Sequence, residues 1–513
     1  MVLTVKVRPM VGTEAATTPA IRVAVGSAEY DRASAVLEAA REAAADVRVV
    51  ETGPTGAAAL APVMLATADG RTAVHADVSP DRARELVETL DDGELPTDDA
   101  HAVVESDEGV PMPETGPLAA GQRRVLARCG WAAPAALDES LAERARDDPD
   151  DLREGVAGAG LLGRGRGDGH TDESIAEGWE TARESDGEAV VVVNGNESDP
   201  AVDGDRLLLE SRPAEVLDGA LAVAAAVEAT DVVVYLNEDD ELAARRVREA
   251  VESVDAGGTE IDVVAGPDRY IAGEMTMALE AMEGADRLEA RLRPPGPSEV
   301  GLYGRPTVVH TPRTLAQIRA FVAAPDEFET SAADPGTRLL TVTGDGVAGP
   351  ATVELATDTA LTEAVADGEE YKMACVGGRF GGITRSLDVP ASAPALTGAR
   401  LGTEGGVELF DGATCALEFA GARAKFAREA NCGRCVPCRE GSKQLVELLR
   451  DVYDGQFQPN ELRELSRVVA ESSTCEFGQA APRPVTTAID TFEREIAAHA
   501  EGRCPSGVCM ETN

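Results

Sequence analysis

The feature that most constrains this chain is a run of cysteines near its C-terminal end. Cys432, Cys435 and Cys438 follow a strict C-x2-C-x2-C spacing, and Cys475 comes after a stretch that predicts a pair of helices. A tight loop can turn three such thiolates toward one point, and four thiolates suit a [4Fe–4S] cluster or a tetrahedral zinc ion. Three cysteines this close together favour the cluster, because zinc loops more often supply ligands in pairs. We therefore predict a metal centre here.

The charge balance of the chain restricts its environment and its partners. Over 513 residues the net charge is −45, only four of the 47 basic residues are lysine, and aromatic residues make up 3%. An acidic, lysine-poor surface keeps a protein hydrated and dispersed in high salt, so the composition predicts a halophilic source. The same charge argues against binding to nucleic acid or to an anionic membrane.

Several features predict a cytoplasmic protein. The opening MVLTVKVRPM lacks the apolar stretch of a secretion signal, and no apolar run approaches the ~18–20 residues that span a bilayer. Eight of the nine cysteines lie beyond residue 370, which favours a metal site in a reducing compartment over a disulfide framework. Any membrane association is expected to come through partner proteins.

Hydrophobic patterning predicts an α/β protein of several domains. The first part reads as β-α-β-β-α. Valine-rich strands then alternate with alanine-rich helices, which is typical of a parallel sheet covered on both faces. A β-hairpin with a short helix follows, and the chain ends in a bundle of about four helices. We place the domain boundaries at residues 1–115, 116–333, 334–418 and 419–513.

The sequence resembles a known redox family. Asn431 to Ser442 (NCGRCVPCREGS) and Ser473 to Pro484 (STCEFGQAAPRP) resemble the cluster-binding end of the NADH-oxidising flavin subunit of respiratory complex I and of NAD(P)-linked hydrogenases. Gly160 to Thr171 (GLLGRGRGDGHT) is similar to the family's glycine-rich GLRGRGGAGFPTG loop. Asn194 to Pro200 (NGNESDP) is similar to NADEGEP, and Tyr270 to Thr276 (YIAGEMT) to YICGEET. The chain is identified as a divergent member, of haloarchaeal type.

This resemblance implies a fold and a reaction. The expected parts are a thioredoxin-like domain, a Rossmann-like flavin domain, a β-grasp domain and a helical [4Fe–4S] domain. Electrons are expected to pass from NAD(P)H through FMN to the cluster and on to another redox subunit, without a catalytic side-chain acid or base. The implied flavin-binding residues are Gly163, Arg164, Gly165, Gly167, Asn194, Asn196, Glu197, Asp199, Tyr270, Gly273 and Glu274.

Departures from the family pattern lie mainly on the nicotinamide side. Two aromatic positions of the family are matched by Gly169 and Gly296, and the second glutamate of GEET is Met275. Arg166 could take over a phosphate contact, or it could block the loop by its bulk. The alternative to an NADH dehydrogenase is therefore a relay or structural subunit that has lost nicotinamide binding, with or without flavin. A third class is a zinc-clamped scaffold.

Outside the four-cysteine set, the sequence predicts no second complete set of cluster ligands. In some relatives the N-terminal domain binds a [2Fe–2S] cluster, but here the matching positions are Ala24, Glu29, Pro54 and Ala58, so we expect a docking or structural domain without metal. We predict that Cys129, Cys375 and Cys415 are buried as small apolar residues and that Cys375 lies among turns packed near the cluster. Cys504 and Cys509 form either a pair of reduced thiols or a site shared with a partner, and His499 is predicted to lie on the surface.

The charge generates a testable prediction. Because like charges repel, the net charge of −45 destabilises the folded chain at low ionic strength. This repulsion weakens as the Debye length falls to ~3 Å at about 1 M salt. We expect the melting temperature to rise with potassium chloride concentration but not with sucrose of equal osmolality. A melting temperature that does not respond to salt would contradict the prediction of halophilic adaptation.

Overall fold

The computed structural model of the chain describes residues 19–106, 109–328, 332–347, 349–365 and 370–510. The opening residues, for which the sequence predicts no secretion signal, lie outside these ranges. The described part is mixed α/β, as predicted, with three sheets and a helical C-terminal end. None of the helices in this part is both long and apolar enough to span a bilayer.

The first sheet has five strands in the order β2-β1-β3-β4-β5. β1 and β2 are parallel and the other neighbours antiparallel. The structure has two strands more than the predicted β-α-β-β-α pattern. Its predicted helix start is confirmed, because the Ser79 hydroxyl accepts from the Arg82 N–H and Pro80 occupies the first turn. The elements are β1 (Ala20–Ala24), α1 (Tyr30–Ala43), β2 (Arg48–Thr52), β3 (Val63–Ala68), β4 (Arg71–His75), α2 (Pro80–Asp91) and β5 (Ala102–Val104).

The second sheet is parallel, in the order β8-β7-β6-β9. Residues Val190 to Val193 are all buried, because helices cover both faces of the sheet. The predicted alternation of strands and helices is confirmed. The elements are α3 (Leu141–Asp147), α4 (Pro149–Ala159), α5 (Ile175–Glu184), β6 (Val190–Gly195), α6 (Asp205–Ser211), α7 (Pro213–Val227), β7 (Asp231–Asn237), α8 (Glu241–Ser253), β8 (Glu260–Gly266), α9 (Met275–Met282), β9 (Thr307–His310) and α10 (Pro312–Ala323).

The third sheet is mixed, in the order β11-β10-β14-β12-β13. The predicted hairpin is confirmed as β10 and β11, which are antiparallel. The sequence predicts turns for residues 375–382. Cys375 is buried as predicted but lies in strand β12, whereas a 3-10 turn (Gly378–Phe380) does follow it, and Phe380 packs in one core with Cys438 and Cys475. The elements are β10 (Thr337–Thr343), β11 (Ala351–Ala356), β12 (Met373–Val376), β13 (Gly382–Thr384), α11 (Ala393–Gly398) and β14 (Gly406–Phe410).

The C-terminal end is helical, as predicted. Its apolar residues form a core of their own, which includes Leu445, Leu449, Val485, Ile489 and Ile496. These positions recur every three to four residues, so they line one face of each helix. The elements are α12 (Ala416–Ala430), α13 (Val436–Asp451), α14 (Pro459–Ser472), α15 (Glu476–Ala480) and α16 (Arg483–Ala500).

The first sheet docks on the second through polar contacts to α6 and α8. The Ser27 N–H donates to the Glu210 carboxylate (3.0 Å), and the Ser211 hydroxyl donates to the Pro54 carbonyl (2.7 Å). The buried Arg246 guanidinium donates to the carbonyls of Val25 and Glu210 and pairs with Glu51. The segments around Ser27 and Pro54 are thus part of an internal interface.

This interface generates a second prediction. Arg246→Ala leaves two carbonyls and a partly exposed carboxylate without their donor, so we expect a loss of about 2–4 kcal/mol of unfolding free energy. Arg248 lies on the same helix but is exposed, so Arg248→Ala should cost less than about 1 kcal/mol. Urea denaturation in high salt measures both losses. Equal losses in the two variants would show that Arg246 does not hold this interface.

Candidate functional site

The glycine-rich loop closes over the carboxyl edge of the parallel sheet. The Asn194 side-chain amide, just before the end of β6, donates to the carbonyls of Gly167 (2.9 Å) and Gly273 (3.0 Å). The Gly169 N–H donates to the Val309 carbonyl (2.8 Å). Ligands of open α/β sheets bind at this edge, so the loop lies where the fold places a site. Three of the motifs predicted from sequence are therefore brought together by Asn194.

The glycines of this loop are in close contact with the protein on the sheet side. A Cβ added at Gly167 would lie 2.4 Å from the Asn194 amide nitrogen, and one added at Gly165 would lie 2.7 Å from the Arg313 guanidinium. Gly165 also has a φ of +81°, which favours glycine. There is accordingly no space for a ligand between the loop and the sheet.

Two predicted flavin ligands are already engaged by other groups of the protein. The Arg164 guanidinium is buried against Asp334 (2.5 Å) and the Thr337 carbonyl, which joins the loop to the third sheet. The Glu197 carboxylate accepts from the N–H groups at the start of α6 and pairs with Arg313 (3.0 Å). Both side chains have protein partners, so their visible role is structural.

Arg166 lies on the open side of the loop. Its guanidinium stacks over the Tyr270 ring at 3.9 Å, and its Nη1 is buried with no hydrogen-bond partner among the described residues. Burial lowers the pKa of Arg166, but the electrostatic interactions with Tyr270, Glu404 and Asp199 outweigh this effect and raise the pKa overall. Glu274 also has a buried polar atom without a partner. Its Oε2 caps α9, while its Oε1 has no hydrogen-bond partner among the described residues.

Two large cavities lie near these residues, and charge distinguishes them. One, of about 730 Å³, has more acidic than basic side chains in its wall, among them Glu197, Asp199 and Asp240. The other, of about 670 Å³, borders the glycine loop, and both have the size of a cofactor site. An anionic cofactor fits the second cavity, on the open side of the loop, because arginines predominate in its wall. These are Arg166, Arg400, Arg463, Arg467 and Arg483.

Two glutamates in this second cavity hold protons near neutral pH. Burial raises the pKa of Glu404 to about 7, and the Arg166 guanidinium opposes this rise. Burial and the nearby Glu274 raise the pKa of Glu476 to about 8. The Tyr270 hydroxyl lies 3.4 Å from Glu404. Since protonated carboxyls carry no charge, the cavity is more positive than it would be with both glutamates ionised.

The four predicted metal ligands lie together next to this cavity. Cys432, Cys435, Cys438 and Cys475 line one small cavity, and Cys438 and Cys475 are buried. Cys435 is the N-cap residue of α13, so the positive end of that helix dipole faces the thiolates. Burial and the nearby Glu274 raise the pKa of Cys475 to about 12, and a bound cation would reverse this effect. The arrangement fits a metal centre with thiolate ligands.

An aromatic cluster joins the two sites. The Tyr270 ring is packed edge-on against Phe477 at 5.8 Å, and Phe477 follows Cys475 by two residues. Phe380 and Phe426 complete this group at 5.4 Å and 5.3 Å from Tyr270. Tyr270, Cys438 and Cys475 belong to one apolar core. The glycine-loop site and the cysteine site are therefore one structural unit.

The structure also gathers residues that the sequence interpretation treated separately. The prediction that His499 is a surface residue was wrong: its side chain is buried, and its Nε2 lies 3.3 Å from the Cys415 sulfur. Cys504 and Cys509 lie beside this pair. Cys129, Cys375 and Cys415 are buried as predicted. The regular spacing of His499, Cys504 and Cys509 is the signal that could have indicated this group.

Two family models match the chain. One, described as the Nuo51 FMN-binding domain, matches residues 156–320. The other, described as the NADH-ubiquinone oxidoreductase-F iron-sulfur binding region, matches residues 418–499. The matched ranges contain the glycine loop and the four cysteines, respectively. The order of the two regions agrees with the order of the two parts of the site.

The chain is also similar to curated proteins and to solved structures. It is 31% identical over 387 residues to the F subunit of NADH-quinone oxidoreductase from Streptomyces coelicolor, covering 70% of this chain and 85% of that protein. It is 28% identical over 426 residues to the HndC subunit of NADP-reducing hydrogenase from Solidesulfovibrio fructosivorans, covering 76% and 86%. A crystal structure of NAD+-reducing [NiFe]-hydrogenase in the air-oxidized state matches with a TM-score of 0.65 and 25% identity, over 95% of this chain and 86% of that one. The chain belongs to the family of the NADH-quinone oxidoreductase F subunits.

Proposed function

We propose that this protein is an electron-transfer oxidoreductase subunit that passes electrons from NAD(P)H through FMN to a [4Fe–4S] cluster. The observation that carries this proposal is the shared apolar core of Tyr270, Cys438 and Cys475, because Tyr270 also stacks against Arg166 in the wall of the cofactor cavity. Electron transfer needs such proximity and a low-dielectric surrounding more than it needs a side-chain acid or base. The cluster then passes the electrons to a partner redox subunit.

FMN, when bound, would accept a pair of electrons and release them singly. The chain's own residues would hold it on the open side of the glycine loop. Arg166 offers a buried donor without a partner among the described residues, and the other arginines of the cavity offer positive charge to the phosphate. Asn194 and Gly273 fix the loop from behind. Tyr270 and Glu274 lie between this cavity and the cysteines, in positions that would tune both cofactors.

The four cysteines would hold the cluster, and their surroundings favour its negative charge. The N-terminus of α13 faces it through Cys435. The Arg434 guanidinium, which borders the same cavity, donates to the Ala290 carbonyl and thereby ties the cluster loop to the segment after α9. Phe477 and Met277 line the side of the site where Cys438 and Cys475 are buried. These features support a redox centre that is close to the flavin and partly shielded from water.

A second candidate function rests on two features of the site: the glycine loop is filled on its sheet side, and Gly296 replaces an aromatic residue of the family. The sheet side of the loop is filled, and beyond the two chain neighbours no described atom lies within 4 Å of a Cβ added at Gly296, where the family has an aromatic ring. This open space supports weak nicotinamide binding. The chain would then be a relay or structural subunit that receives its electrons from another protein.

The domains follow from the same family relationship. We propose a thioredoxin-like domain at 1–115, a flavin- and nicotinamide-binding domain at 116–333, a β-grasp domain at 334–418 and a cluster-binding helical domain at 419–513. The parallel pair β1–β2 beside the antiparallel β3–β4 supports the first assignment. The mixed sheet around β10 and β14 supports the third. A cytoplasmic location, with membrane association only through partner subunits, accords with this organisation.

Removing one cluster ligand tests the metal centre. The full chain, purified without oxygen and in high salt, should contain about four irons and four sulfides. Cys435→Ala should abolish this content, because three thiolates leave one iron without its protein ligand. Cys129→Ala, a buried cysteine outside the site, is the matched control and should retain the iron. Zinc with no iron in the wild-type protein would refute the redox centre.

Flavin content and NADH titration test the rest of the proposal. We expect about one FMN per chain on acid release, and Arg166→Ala should lower this amount. The wild-type holoprotein should be reduced only at high NADH concentrations, because the two stacking rings of the family are absent. Complete reduction at low NADH concentrations would show that Gly169 and Gly296 do not weaken NADH binding. Absence of flavin would favour the relay subunit.

Restoring one ring tests the nicotinamide site directly. Gly296→Phe places an aromatic ring where there is open space. By analogy with base stacking at about 1–3 kcal/mol, it should lower the Kd for NADH roughly fivefold to a hundredfold. Gly296→Leu adds apolar bulk without a π face and serves as the control. Equal effects of Phe and Leu, or none, would contradict the location of the nicotinamide site.

A further inference from the structure

Four metal-ligating side chains meet at the C-terminal edge of the helical bundle, away from the C-x2-C-x2-C loop. Cys415 is the N-cap residue of α12, and His499 lies in the last turn of α16. Cys504 and Cys509 are in the segment that follows. The three sulfurs and one imidazole nitrogen all lie within 4.8 Å of one another. Tetrahedral zinc with Zn–S bonds of about 2.3 Å needs sulfurs roughly 3.8 Å apart, so only small movements are required.

We propose that Cys415, His499, Cys504 and Cys509 form a structural zinc site. A Cys3His set is a standard ligand set for structural zinc. The chain fills all four positions, so no position is left for water or substrate and the ion has no catalytic role. This site is independent of the flavin and of the [4Fe–4S] cluster in the proposed function.

The histidine is already oriented as a ligand. Its Nδ1 lies 2.9 Å from the Glu495 carbonyl, and because a carbonyl can only accept, Nδ1 must carry the proton. The Nε2 lone pair then points toward the sulfurs, with the Cys415 sulfur at 3.3 Å. A backbone carbonyl behind a metal-bound histidine is a common second partner that fixes the ring. The Tyr453 ring packs edge-on against the imidazole at 5.6 Å.

Lys372 supports the loop that carries the other two thiols. It is one of only four lysines in the chain. Its ammonium group donates to the Thr414 carbonyl (2.7 Å), the Glu495 carboxylate (2.8 Å) and the Ser506 hydroxyl (2.8 Å). Thr414 immediately precedes Cys415, Glu495 lies one turn before His499 on α16, and Ser506 follows Cys504 by two residues. One side chain thus ties together the three segments that supply the ligands.

The close spacing favours a single ion over an iron–sulfur cluster. A [2Fe–2S] cluster distributes its ligands over two irons, so its ligand atoms are spread more widely than around one metal. Four ligand atoms within 4.8 Å of one another can all reach one metal ion. The zinc would fasten the C-terminal segment to α12 and α16, next to the core of the cluster-binding bundle.

The test uses the full chain, expressed with iron and zinc and purified without oxygen in high salt. We expect about one zinc per chain in addition to the iron. Zinc-edge absorption should give three sulfurs at about 2.3 Å and one nitrogen at about 2.0–2.1 Å. Cys509→Ser and Cys504→Ser should each lower the zinc at least tenfold while the iron and its visible absorption remain. Those retained signals show that the variants fold.

Two controls separate this site from the other cysteines. Cys129→Ala should keep both metals, and Cys435→Ala should lose iron but keep zinc. The proposal is overturned if the wild-type protein holds no zinc, if Cys504 and Cys509 are recovered as a disulfide, or if iron occupies this site. It is also overturned if zinc is lost with Cys435→Ala rather than with Cys509→Ser. That last result would contradict the [4Fe–4S] assignment as well, whereas a wild-type protein with iron but no zinc would leave that assignment intact.

Discussion

Four aromatic rings from four separate segments meet between the arginine-lined cavity and the loop of Cys432, Cys435 and Cys438, and the organisation of the whole molecule depends on this contact. Tyr270 comes from the parallel-sheet part, Phe380 from the third sheet, and Phe426 and Phe477 from the helical end. Aromatic residues make up only 3% of the chain, so their concentration here is specific. Each pair gains stacking energy beyond its burial. In the proposed function, these rings set the distance between the flavin and the cluster.

Buried arginines hold the remaining interfaces. Arg246 crosses from α8 to the first sheet, Arg164 from the glycine loop to the third sheet, and Arg313 from α10 to the Glu404 carbonyl. A guanidinium offers five donors in a fixed plane, so one side chain can satisfy several carbonyls and a carboxylate at once. In a chain of net charge −45, these internal cations also offset part of the acidic repulsion. The many arginines of this lysine-poor chain therefore stabilise its internal interfaces.

The glycine loop illustrates why a motif alone does not define a site. Its match to the family indicates a flavin cradle, but Asp168 and Arg313 fill the side of the loop that faces the sheet. Asp168 accepts from His310 and from the Thr311 N–H on the sheet side, and Arg313 packs on Gly165. The cavity therefore lies on the opposite face, toward the helical bundle. Side chains far apart in sequence decide which face of a loop is open, and a local pattern does not contain that information.

The sequence by itself determined the features that depend on near neighbours. The spacing of Cys432, Cys435 and Cys438 within seven residues predicts a metal-binding loop, and the valine runs predict buried parallel strands, because both are set by local geometry and period. Only the tertiary structure decided that Cys415, 84 residues before His499, joins His499, Cys504 and Cys509. Their backbone positions come together through the packing of α12 against α16, which depends on the shape of the whole core rather than on any one segment.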